Sequence, residues 1–209
     1  MPRRPRRFSA WELGPEALAR RLLGCTLVAR LRGAEVRGVI VETEAYLGPH
    51  DRGSHTWAGR RTPRNESMHL PGGHAYVYRC YGVHWCLNVV AAPEGVGCAV
   101  LIRALDPAGE VRLMASRRPG VEEARLCAGP GRLCRALGIT GALDGEDLRR
   151  SRRVFILDGT ATAPVRASAR IGLGCGGLWA RRRLRFSLAG HPAVSIPVPG
   201  ERRPRRGRR

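Results

Sequence analysis

Residues 74–80 and 83–90 are rich in aromatic and branched side chains, and only Tyr81 and Gly82 stand between them. A link that short allows one connection, an antiparallel hairpin with a glycine in its tight turn; a parallel pair needs a crossover of a dozen or more residues. The same reading applies to Thr26–Leu31 and residues 36–44, which flank Arg32-Gly33. Further strands are predicted at residues 98–103, 154–157, 184–188 and 193–196. Short helices are predicted from Pro15 towards Gly24, with Leu18 and Leu22 on one face, from an Asp106-Pro107 N-cap and first turn, and over residues 130–137 closed by Gly138. The predicted fold class is therefore α+β, a single domain with a mixed, largely antiparallel curved sheet, short helices and a protruding β-hairpin.

The chain has 209 residues, 43% of them hydrophobic, enough for one sizeable core. Its net charge is +20. The ends MPRRPRR and ERRPRRGRR hold less than half of that surplus, so the body is basic as well and a polyanionic partner is expected. The expected organisation is a basic N-terminal arm (1–10), one domain (11–200) and a basic tail (201–209). Lysine is absent, so every cationic side chain is arginine. Schiff-base cleavage of a sugar–base bond requires an amine, and here only a chain terminus, such as Pro2 after loss of Met1, could supply one.

Seven cysteines, an odd number with no zinc-knuckle spacing, give no support for a metal. No cofactor is expected either: Gly172, Gly174 and Gly177 match a dinucleotide-loop pattern, but a strand-like LWARRRLRF follows and no acidic residue stands near twenty positions on. No apolar run suits a membrane, and the thiols fit a reducing compartment, so an intracellular, soluble protein is expected.

All four tyrosines fall between Glu44 and Asn88. A two-residue period puts Glu42 and Glu44 on one face of their strand, either as solvated charges or as a general base with a bracing partner. On the second hairpin Tyr76, Tyr78 and Cys80 share a face, and so do His84, Cys86 and Asn88. Such a wall is an aromatic core stripe or the side of a pocket whose ligand hydrogen-bonds. Arg103, ending an apolar strand, is a nearby cation or a surface charge.

These residues stand in motifs: LARRLLG (18–24), VETEAYLGPHD (41–51), TPRN (62–65), YVYRCYGVHWCLN (76–88), VLIRALDP (100–107), CAGPGRLCRAL (127–137), and RIGLG followed by WARRRLRF through 186. In order and spacing the chain resembles the 3-methyladenine (alkyladenine) DNA glycosylases of the mammalian type, a family that also occurs in bacteria. The resemblance implies a monofunctional base-excision repair enzyme. It would flip a damaged purine, alkylated, deaminated or etheno-modified, and hydrolyse its N-glycosidic bond to leave an abasic site. Glu44 would activate the water, with Arg103 orienting water or charge. Tyr46 and His55 would sandwich the base, Tyr78 would close the pocket edge, and Asn88 would obstruct the amino group of guanine. Tyr81 would insert into the DNA and fill the gap in the stack. The partner would be double-stranded DNA bearing damaged purines, the protein a monomer, and the compartment the cytoplasm and nucleoid of a bacterium or the nucleus of a eukaryote. A shorter segment between Asp106 and Cys127 leans towards a bacterial member. The rival reading is a non-catalytic binder of distorted or lesion-containing DNA, which would need the arginines and Tyr81 but not Glu44.

Overall fold

The computed structural model describes residues 6–198. The expected tail and the first five residues of the expected arm lie outside that range. Of the arm's other residues, Phe8 is buried and its amide donates to the Ile156 carbonyl at 2.9 Å, so the domain's packing begins before residue 11.

Helix α1 (Pro15–Arg21) starts on a proline, whose missing N–H is no loss in a first turn. It buries Leu18, and Leu22 at its C-cap is buried too; each such leucine contributes roughly 1.5–3 kcal/mol relative to exposure. Strands β1 (Thr26–Leu31) and β2 (Ala34–Tyr46) form the first hairpin, and β3 (Ala75–Cys80) and β4 (His84–Val90) the second. Strand β5 (Ala99–Gly109) lies between β4 and β2, which gives the order β3-β4-β5-β2-β1-β6, with β6 at Val154–Leu157. Strand β2 is longer than β1. Its far half pairs instead with β8 (Arg185–Leu188), which carries β7 (Val165–Ser168) on its other side. Every ladder among the described strands is antiparallel.

Helices α2 (Val111–Arg117) and α3 (Pro130–Leu137) contact each other, and α3 packs against β4 and β5. As expected, α3 ends on Gly138, in the left-handed conformation.

Three local expectations fail for identifiable reasons. Asp106-Pro107 does not start a helix: both residues belong to β5, opposite Val39 and Gly38. Alternate N–H groups of a strand point to opposite edges, and Leu105 donates to the Cys127 carbonyl on the side away from β2. The Pro107 nitrogen faces that same side, so its missing N–H costs the β2 ladder nothing. The helix begins only at Val111.

Residues 193–196 are not a strand. Their backbone groups are claimed by side chains: Arg125 reaches the Val194 and Ser195 carbonyls, Arg185 the Ile196 carbonyl, and Glu42 the Ser195 amide. The segment LWARRRLRF is likewise only partly strand, since Leu178–Arg181 forms one helical turn, α4.

Candidate functional site

The site grows from an irregularity in β2. Register against β5 shifts on both sides of Glu42, a β-bulge that re-aims side chains where the strand passes from β1 to β8. Glu42 and Glu44 both end up with no exposed surface, which overturns the solvated reading of the pair.

Arg103, 7% exposed, answers both carboxylates, so it is no surface charge. Its Nε donates to Glu42 Oε1 at 3.0 Å and its Nη1 faces Glu44 Oε1 at 3.3 Å. Glu42 also accepts from Arg185 Nε at 2.7 Å, from the Ser195 hydroxyl at 2.9 Å and from the Ser195 amide at 2.7 Å. Glu44 has lighter company. Its Oε1 accepts from the Ile171 amide at 2.8 Å, and its Oε2 from the Tyr46 hydroxyl at 3.0 Å. Burial wins at Glu44 and raises its pKa above the ordinary glutamate value, although Arg103, Ile171 and Tyr46 pull the other way. At Arg103 the two carboxylates outweigh burial and hold the guanidinium charged.

Next to this acid lies an open pocket of about 640 Å³. Tyr46, His55, Tyr78, Asn88 and Tyr81 all line it, so five of the seven residues singled out in the sequence meet at one cavity. Glu44 and Arg103 stand behind that wall, linked to it by the Tyr46 hydroxyl.

The second hairpin supplies the far side. Register pairs Tyr76 with Asn88 and Tyr78 with Cys86, so the two expected faces are one. Tyr76 stacks on Tyr78 with centroids 5.3 Å apart, and the His55 ring meets Tyr78 edge-on at 4.6 Å. His55 Nδ1 shares a hydrogen bond with the Tyr76 hydroxyl at 2.7 Å. Burial, with Arg64 and Arg60 nearby, lowers the His55 pKa to about 4, so its ring is neutral at physiological pH. The Asn88 amide nitrogen donates to the Tyr76 carbonyl at 3.0 Å, which fixes which end of that side chain remains for a ligand.

Tyr81 sits at the hairpin tip, 88% exposed. It and Gly82 both have positive φ, 49° and 69°, as a type I′ turn requires. Glycine takes that conformation freely; tyrosine takes it at a cost.

Several contributors escaped the sequence reading. Gly172, Leu173 and Gly174, the start of the rejected dinucleotide-loop pattern, form part of the pocket wall. Exposed Arg52, Arg60 and Arg64 line the pocket too. Ser195 and Arg185 complete the setting of Glu42 from the far end of the chain. Isolated arginines in an arginine-rich sequence carry no signal, whereas the glycine spacing did. Among the described residues, no three His, Cys, Asp or Glu side chains are grouped so as to hold a metal ion.

Comparison with known proteins places the chain in a family. The family model for methylpurine-DNA glycosylase matches residues 9–192. The DNA-3-methyladenine glycosylase of Mus musculus is 42% identical over 205 residues, 88% of this chain and 61% of the mouse protein. The human protein of that name is also 42% identical, over 86% of this chain and 64% of its own length. This chain thus spans less than two thirds of these mammalian relatives. A Methanocella arvoryzae protein provisionally named for 3-methyladenine DNA glycosylase activity is 42% identical over 96% of this chain and its own full length. With a matching family model over most of its residues and such relatives, the chain belongs to the methylpurine-DNA glycosylase family.

Proposed function

We propose that this protein is a monofunctional DNA glycosylase that extrudes a damaged purine from duplex DNA into the tyrosine-lined pocket and hydrolyses its N-glycosidic bond with water activated by Glu44. The observation that carries the proposal is the coordination of that carboxylate. A carboxylate offers about four lone-pair positions. The Ile171 amide and Arg103 take up Oε1, and the Tyr46 hydroxyl takes one position on Oε2. The remaining position lies on the oxygen bound by a pocket-lining side chain, where a water would be held beside the extruded nucleotide.

Chemistry and recognition then divide. Glu44 draws a proton from the water as it attacks the anomeric carbon, and its raised pKa makes it a stronger base than free glutamate. Arg103 keeps the site's charge from building up when both carboxylates are ionised. The base lies between Tyr46 and His55, against Tyr78, while Asn88 opposes the exocyclic amine of guanine. Tyr81 occupies the gap left in the stack, and the arginines at the pocket grip phosphate without reading sequence. A purine alkylated at N3 or N7 is already cationic and leaves easily. For a neutral lesion such as hypoxanthine or ethenoadenine the base contacts and Glu44 must supply more of the barrier reduction.

The test is Glu44→Gln on duplexes containing methylated adenine, hypoxanthine or ethenoadenine. The variant should bind like wild type and release no free base. Normal excision by the variant would remove Glu44 from the mechanism. If wild type binds these duplexes and releases base from none of them, the protein is a lesion binder and not an enzyme.

A further inference from the structure

We infer that the buried ion pair of Asp51 and Arg170 is a positioning device for the base-binding pocket, holding Tyr46 and His55 at the separation one purine ring requires. This rests on the base-binding role proposed above for those two residues. The side chains of the pair have no exposed surface, and Arg170 grips Asp51 with both terminal nitrogens, at 2.5 and 2.7 Å.

The connections on either side give the pair its role. Arg170 Nη1 donates to the Ala45 carbonyl at 3.0 Å, and Asp51 Oδ2 accepts from the Leu47 amide at 3.1 Å. One ion pair therefore ties down the backbone both before and after Tyr46. The guanidinium also stacks on the Tyr46 ring, 4.6 Å from its centroid. Towards the other wall, Asp51 Oδ1 accepts from the Gly53 amide at 2.8 Å and the Asp51 carbonyl from the Ser54 amide at 2.9 Å. His55 is the next residue.

Two details set this arginine apart from a generic buried cation. Its Nε is buried without a hydrogen-bond partner, a cost that a side chain placed only to satisfy itself would avoid. A Cβ at Gly53 would come within 2.8 Å of Nη2, so the loop leading to His55 lies directly against the guanidinium. The next residue, Ile171, holds Glu44 through its amide. The dipeptide Arg170-Ile171 thus fixes one wall of the base site with one residue and the acid with the other.

The experiment uses the full chain and a duplex containing ethenoadenine, whose fluorescence changes when it leaves the stack. Two variants complement each other: Asp51→Asn with Arg170→Gln replaces the ion pair by neutral hydrogen-bonding groups, and Gly53→Ala keeps both charges but pushes the guanidinium aside. Each should still bind undamaged duplex like wild type, and the equilibrium constant for holding ethenoadenine in the pocket should fall about tenfold, on the scale of losing an aromatic contact. A variant that melts earlier yet captures the base with the wild-type equilibrium constant would reduce the pair to a purely structural role and overturn the inference. If the double variant does not fold, Gly53→Ala decides alone. If wild type itself leaves ethenoadenine stacked in the duplex, it is the base-binding reading that fails.

Discussion

Glu42 and Glu44, two positions apart on β2, lean on the same guanidinium, that of Arg103, and neither has any surface exposed to solvent. They divide the labour. Glu42 accepts four hydrogen bonds, from Arg103, Arg185 and Ser195, and so holds Arg103 and the 193–196 segment in place. Glu44 keeps an open lone-pair position.

Glu42→Gln should therefore separate positioning from chemistry. Removing one partner from a buried ionic cluster leaves Arg185 and Arg103 undercompensated, and the variant should lose about 3 kcal/mol of stability. With one carboxylate gone, Arg103 favours the Glu44 anion more strongly, and the like-charge repulsion that raises the Glu44 pKa disappears. The acid limb of a single-turnover excision profile should move to lower pH. An unmoved limb would mean that Glu42 and Glu44 do not share their cation in solution.

For wild type, excision should fall on acidification at a pH above the ordinary glutamate value, because burial makes Glu44 take up its proton early. The neighbouring histidine does not confuse this reading. The His55 pKa is lowered to about 4, below the ordinary glutamate value, whereas that of Glu44 is raised above it, so on acidification Glu44 takes up its proton first. Measuring kcat/KM from about pH 3.5 to 8 on a neutral lesion checks both points, and a limb at the value of a free carboxylate would contradict the buried-base account.

The hairpin tip gives an opposed pair of outcomes. Tyr81 stands in a left-handed conformation that asparagine adopts more easily, and Asn-Gly is a favoured pair for such a turn. Tyr81→Asn should stabilise the protein by about 0.5–1 kcal/mol, since strain is relieved and an 88% exposed ring loses no packing. The same variant should capture extruded bases less well. A gain in melting temperature without any loss of base capture would show that the strained tyrosine is not the residue that fills the stack.

How much of this could be read from the sequence follows physical lines. Hairpins were legible because two-residue links and positive-φ turn residues are local requirements, and both are met at Arg32-Gly33 and Tyr81-Gly82. The cluster of Tyr76, Tyr78 and Asn88 was legible for the same reason, since strand period and turn length together fix register. Pro107 misled because its cost depends on which edge of β5 is unpaired by β2, a tertiary fact. The Asp51–Arg170 pair joins residues 119 positions apart, and no local pattern marks one arginine among so many. Glu42 looked equivalent to Glu44 until Ser195 and Arg185 arrived from the far end of the chain.

The sharpest check on the buried acid is thermodynamic and needs no DNA. A group whose folded pKa lies above its unfolded value stabilises the fold while protonated and loses that contribution as pH rises through the folded pKa. Glu44 is such a group, so at neutral pH its charge works against folding. Glu44→Gln removes the charge, keeps the shape, and leaves Arg103 its hydrogen bond to Glu42. This variant should be more stable than wild type at pH 7. Below the ordinary glutamate pKa both proteins carry a neutral group at position 44 whether folded or unfolded, and the difference should vanish. Denaturant melts of the two proteins at pH 4 and pH 7 measure this directly. A wild type more stable than Glu44→Gln at pH 7 would mean that Arg103, Ile171 and Tyr46 compensate the carboxylate fully, and that its basicity has to come from the bound nucleotide.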